Sequence, residues 1–187
     1  MFIDYLSLML LNMTAGLALL ALYVAFGLAR PDQRWWAPGF GAVGLIALIT
    51  GTHMILTWPL PGPYNSAFGE LTVVLGTLFL AAAVALAKGW PLTAVGIYGA
   101  FAGLSAILLG VRIINLPLTQ APLMSGLGFI LTGFFGGLVL LALLLPRLRT
   151  LRAVISLGLL AAMAIWAMTA VLAFWGHMEF FKKWKAG

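Results

Sequence analysis

Of the chain's 187 residues, 64% are hydrophobic and only 7% are charged, and its mean hydropathy is +1.13. A soluble domain carries about 25% charged residues, so these proportions describe an integral membrane protein and exclude a soluble catalytic domain. The net charge of +6 comes without a basic groove or aromatic platform, which excludes nucleic acid as a partner, and the absence of cysteine removes disulfides, thiolate nucleophiles, iron–sulfur clusters and covalently attached haem.

A span needs about 20 mostly apolar residues, and the sequence holds six, which predicts an all-α bundle in one transmembrane domain over 1–187. The first covers about 5–29. It follows MFIDYLS without a basic segment, so it reads as a retained span rather than a cleaved signal. PDQRWWAPG then turns the chain, with Trp35 and Trp36 suited to a membrane interface. The second span is about 38–58 and ends at Trp58-Pro59. The loop PLPGPYNS cannot continue a helix, because proline lacks the N–H and clashes with the preceding turn. The third span is about 66–87, closed by Lys88-Gly89-Trp90-Pro91, and the fourth is about 91–116, closed by Pro117. The fifth is about 123–145, followed by PRLRTLR, and the sixth is about 152–180, followed by a tail with Lys182, Lys183 and Lys185.

Positive charge concentrates in alternate loops. Arg30, Arg34, Lys88, Arg147, Arg149 and Arg152 follow spans one, three and five, whereas the loops after spans two and four have no Lys or Arg. The positive-inside rule therefore puts both termini on the outer side, with the three tail lysines arguing the other way.

Small residues recur at packing intervals. Gly69, Gly76 and Ala83 are seven apart, and Gly99/Gly103, Ala102/Ala106 and Gly133/Gly137 are small-xxx-small pairs. Such residues let helix backbones approach where lipid supplies no hydrophobic drive. GTHMILTWPLPGP (51–63) also resembles GVRIINLPLTQAP (110–122) with one gap, so spans two–three and four–five read as copies of one hairpin, with chance similarity of apolar segments as the alternative.

Ionisable residues cluster toward the outer ends of five spans: Asp4, His53, Glu70, Arg112 and His177. Each costs about 2.5–3.5 kcal/mol on insertion scales, and such groups persist where they find partners or do work. Counted at about 1.5 Å per residue from the helix ends, His53, Glu70, Arg112 and His177 lie roughly 7–9 Å below one surface, with Asp4 close to it. Sharing that level requires the sixth span to tilt or protrude. Each member also has a structural explanation: Glu70 at a helix N-terminus with Asn65 or Ser66 as cap, Arg112 reaching headgroups or pairing with Glu70, His53 and His177 as hydrogen-bonded or interfacial side chains, Asp4 as a solvated terminus.

Three functional readings stay open. Two facing histidines are the minimum for a bis-histidine b-type haem, which would make His53 and His177 the iron ligands and Arg112 the partner of a propionate. Gly51, Gly69, Gly110 and Gly176 would supply clearance, and Trp58, Phe68 and Trp175 would wall the porphyrin. A variant is a metal held by the two histidines with Glu70 or Asp4. The second reading is a proton-coupled transporter or channel, since intramembrane His, Glu and Arg relay protons or hold ions. The third is a non-catalytic accessory subunit of a larger membrane complex. The corresponding partners are the lipid bilayer, a redox partner, other membrane subunits, or further copies of the chain.

GTHMILTWPLPGPYNSAFGE (51–70) and FIDYLSLMLLNMTAGLALL (2–20) resemble the domain of unknown function 981 family of small bacterial and archaeal membrane proteins. The most specific part is TWPLPGPYN, with His53 before it and Glu70 after it. The resemblance implies a multi-span helical protein in the cytoplasmic membrane of a prokaryote, and it carries no activity.

Overall fold

The computed structural model of the chain describes residues 5–60 and 64–183. Its helices are α1 (Leu6–Leu22), α2 (Ala37–Thr57), α3 (Leu71–Lys88), α4 (Thr93–Asn115), α5 (Pro122–Leu144) and α6 (Arg149–Lys183). A π-helical turn, Tyr23–Gly27, prolongs α1, another, Asn65–Glu70, precedes α3, and a 3-10 turn, Arg34–Trp36, leads into α2. All six spans are long and apolar enough to cross a membrane. In hydrocarbon each backbone N–H and C=O must be satisfied within its own segment, which is why such runs become helices.

The helix ends follow the expected punctuation. α2 stops at Trp58, which turns left-handed (φ 49°) just before Pro59. α3 closes on Gly89 (φ 69°): the Gly89 N–H donates to the Leu86 carbonyl at 3.2 Å and the Trp90 N–H to Ala85 at 2.8 Å. This is the paired closure that a glycine after the last turn permits. Pro122 takes the first position of α5, where its missing N–H leaves nothing unsatisfied.

The closest packing is between α4 and α5, α2 and α3, and α1 and α6. Lighter contacts of α5 with α6, α1 with α2, and α3 with α4 close these three antiparallel pairs into a ring. Two pairs are zipped by glycine. A Cβ on Gly44 would lie 3.0 Å from the Gly76 carbonyl oxygen, and one on Gly51 3.0 Å from that of Gly69. In the α4–α5 pair, a Cβ on Gly103 would lie 2.4 Å from the Gly133 carbonyl oxygen and one on Gly110 2.6 Å from that of Gly126. Within each helix the two glycines are seven residues apart. The hairpins α2–α3 and α4–α5 thus use the same contacts in the same order and run in the same direction.

Polar pins hold the third pair and its neighbours. Ser156 Oγ donates to the Ala21 carbonyl (3.0 Å), joining α6 to α1. Asn12 Nδ2 donates to Val43 (2.9 Å), joining α1 to α2, and the buried Trp166 Nε1 donates to Thr132 Oγ1 (2.9 Å), joining α6 to α5. Bonds of this kind contribute about 0.6–2 kcal/mol each inside membranes. Leu45, Ile49, Leu104, Leu108 and Leu157 point outward and are exposed. Apolar surface of that extent suits lipid rather than water.

Candidate functional site

At the end of the bundle where α1 begins, both histidines meet the first turn of that helix. His53 Nδ1 is 2.9 Å from the Tyr5 hydroxyl, with the two rings edge to face at 5.2 Å, and 3.4 Å from Thr57 Oγ1. His177 Nδ1 is 2.9 Å from Ser7 Oγ. The histidines therefore share a level, as their depth along the sequence suggests. Each engages its own hydroxyl there. Tyr5 stands just before α1 and Ser7 lies in its first turn, and α1 packs against both α2 and α6.

The other tier residues go separate ways. Asn65 is fully buried, and its side chain clamps the Leu60 backbone in both directions: its Oδ1 accepts from the Leu60 N–H at 3.0 Å, and its Nδ2 donates to the Leu60 carbonyl. It closes the loop before α3 rather than capping a helix. Glu70 and Arg112 are both exposed, and no ion pair joins them. Among the described residues no group of three His, Asp or Glu side chains could hold a metal ion. Asp4 lies outside the described residues.

The expected clearance for a flat ligand is also absent. Gly51, Gly69 and Gly110 are filled by the neighbouring helix backbone or side chains, and only Gly176 faces open space. Trp58 and Trp175 are exposed, Trp175 donating to Glu179 at 2.9 Å, while Phe68 stacks on Tyr64.

An empty space does lie between α1, α3, α4 and α5. It measures about 150 Å³ and is bounded by Met13 and Leu17 of α1, Leu75 and Leu78 of α3, Gly99 of α4 and Gly136 of α5. Its walls are almost wholly apolar, with Thr132 and Tyr23 among the few polar side chains. Two glycines keep it open. A Cβ on Gly136 would meet nothing within 4 Å, and one on Gly99 only the tip of Leu78 at 3.9 Å.

Toward the arginine-bearing end the cavity adjoins a wider vestibule of about 730 Å³, and Tyr23, Leu92 and Leu143 line both. Tyr23 stands on the wall that the two share. It is buried in the π-turn, edge-on to Trp36 and Phe40 at 5.7 and 5.5 Å. Its hydroxyl donates to Gln33 Oε1, while Gln33 Nε2 donates to the Leu28 and Arg30 carbonyls at 3.1 and 3.2 Å. Asp32, Arg34 and Thr93 are the remaining polar residues of the vestibule wall. A π-turn widens the helix by one residue and is frequent at functional sites. Here it frees the chain to carry Tyr23 inward while Gly27, whose Cβ would lie 2.6 Å from the Trp36 indole nitrogen, admits that ring.

A family model described as a protein of unknown function, DUF981, matches residues 1–180. The chain belongs to the DUF981 family. No curated protein and no solved structure matches it. The resemblance read from TWPLPGPYN thus extends over both glycine-zipped hairpins, and every residue lining the DUF981 cavity and vestibule falls within the match.

Tyr23, Gln33, Arg34, Gly99 and Gly136 were not candidates on sequence grounds. The usable signal was surplus glycine: Gly96, Gly99, Gly136 and Gly137 come in addition to the Gly103, Gly110, Gly126 and Gly133 that zip the pair.

Proposed function

We propose that this protein is a membrane carrier for a lipid-like molecule, with an apolar chain in the cavity and a polar head in the vestibule. The observation that supports this most is the cavity's position: it lies between two like-oriented hairpins, where transporters built from parallel repeats hold substrate. An apolar cavity near 150 Å³ stays dry and accepts a benzene-sized group. Its volume therefore suits a segment of one hydrocarbon chain and is far too small for a porphyrin. The light α3–α4 contact offers sideways access from lipid. By the positive-inside rule, the vestibule opens to the cytoplasmic side.

The test is photolabelling in nanodiscs with a fatty alcohol that carries a diazirine near its tail. Label on Leu75, Leu78 and Val95, lost in Gly136→Leu, is the expected result. Label confined to lipid-facing residues such as Leu108 and Leu157 in both proteins would refute the carrier reading.

A bis-histidine haem has one feature in its favour. Both imidazoles engage hydroxyls through Nδ1, the outer hydrogen bond that ligating histidines usually make. Against it, Gly51, Gly69 and Gly110 are filled by neighbouring helices and leave no clearance for a flat ligand. A Soret band that shifts on reduction and vanishes in His53→Ala supports haem, and a flat spectrum from folded protein removes it.

A further inference from the structure

We infer that the vestibule takes the anionic head of a single-chain amphiphile, with Arg34 as its counter-ion, an inference that rests on the carrier reading. Three consecutive polar residues reach this space, Asp32, Gln33 and Arg34. Two are already committed. Asp32 Oδ1 accepts the backbone N–H of Arg34 at 3.0 Å. Gln33 spends its carbonyl on Tyr23 and its amide nitrogen on two backbone carbonyls. Among the described residues the Arg34 guanidinium has neither an ion pair nor a hydrogen-bond partner, and it is exposed to the vestibule.

The surrounding charge favours an anion. Lys88 and Arg147 are the immediate neighbours of Gly89 and Pro146, which line the same wall, and Arg30, Arg149 and Arg152 lie at the same end of the bundle. Among the described residues, Asp32 is the only acid at that end. Charges within about 8 Å of one another are little screened at physiological salt. A guanidinium matches carboxylate and phosphate alike through two parallel hydrogen bonds, so the shared chemistry is a compact oxyanion. The tail follows from contiguity. Tyr23, Leu92 and Leu143 line both the cavity and the vestibule that Arg34 reaches, and the cavity's volume admits a segment of one chain.

The experiment compares two photoactivatable probes with the same diazirine-bearing chain, one a fatty acid and one the corresponding alcohol. The full-length protein is held in nanodiscs of neutral phosphatidylcholine. The acid is expected to label Leu75, Leu78 and Val95 about tenfold more efficiently than the alcohol, the worth of one charge-assisted contact. Arg34→Gln should erase that preference, and Arg34→Lys should keep part of it. Arg34 is exposed, so the thermal midpoint of both variants should match the parent and confirm folding. Palmitate and hexadecyl phosphate serve as competitors: displacement by either supports an anionic head and shows which oxyanion is taken. Equal labelling by acid and alcohol, or a preference that survives Arg34→Gln, would overturn the head assignment while leaving the carrier reading intact. No cavity labelling by either probe would overturn the carrier reading itself, and this inference with it.

Discussion

Glycine has opposite effects on the two sides of α4. Toward α5, Gly103 and Gly110 bring backbones into contact, with virtual Cβ atoms 2.4 and 2.6 Å from the opposing carbonyl oxygens. Toward α3, Gly99 meets only the tip of one leucine, and Gly136 on the neighbouring helix meets nothing within 4 Å. The same residue type closes one seam and hollows the other. Helix association in lipid depends on packing rather than on a hydrophobic drive, so the zipped hairpins should behave as rigid bodies and the α3–α4 seam as the compliant one.

Substituting the glycines tests this contrast most severely. Gly103→Leu or Gly133→Leu drives a side chain into a carbonyl of the partner helix, and overpacking of that kind should cost about 3 kcal/mol or more. The readout is loss of monodisperse protein, or a lower denaturation midpoint in mixed micelles. A variant as stable as the parent would mean that the hairpin is not zipped. Trp166→Phe keeps most of the buried ring but deletes the donor to Thr132, so α6 should loosen from α5 by about 0.6–2 kcal/mol in the same assay. Gly136→Ala should act in the other direction. It removes a glycine from a helix interior without a clash, and a stabilisation of about 0.5–1 kcal/mol is expected. A destabilised Gly136→Ala would show that the cavity wall has no spare room. The smallest effect belongs to the histidine end. His53→Ala loses an exposed bond to Tyr5, and the melting curve should shift by less than about 1 kcal/mol.

Much of the architecture was legible in the sequence. With the flanking π-turns counted, the six spans lie within a turn of the helices, because proline, glycine and arginine clusters mark nearly every boundary. The repeat between 51–63 and 110–122 was visible through Gly51 and Gly110, which occupy equivalent contacts in the two hairpins. The histidine tier was legible in depth but not in partnership, since the hydroxyls of Tyr5 and Ser7 carry no charge and no periodic signal. Asn65 read as a helix cap because it stands at the start of a span, whereas the π-turn redirects its side chain onto Leu60.

The cavity was illegible for a different reason. These helices are apolar on every face, so hydropathy does not tell a lipid-facing side from one turned inward. The polar residues helped little. Thr77, Ser105 and Thr169 return their hydroxyls to their own helix one turn back. Asn12, Thr132 and Ser156 form interhelical pins, and nothing in their spacing separates the two groups.

The most direct test uses the absence of cysteine from the chain. Spin labels at Leu45→Cys and Val84→Cys report across the α2–α3 hairpin, and labels at Val84→Cys and Leu104→Cys report across the α3–α4 seam; all three parent side chains are exposed. Pulsed-dipolar distances in nanodiscs should be narrow and ligand-independent for the hairpin, and broad for the seam, narrowing when a long-chain fatty acid is added. A seam distribution as narrow as the hairpin's and unmoved by the fatty acid would contradict the account.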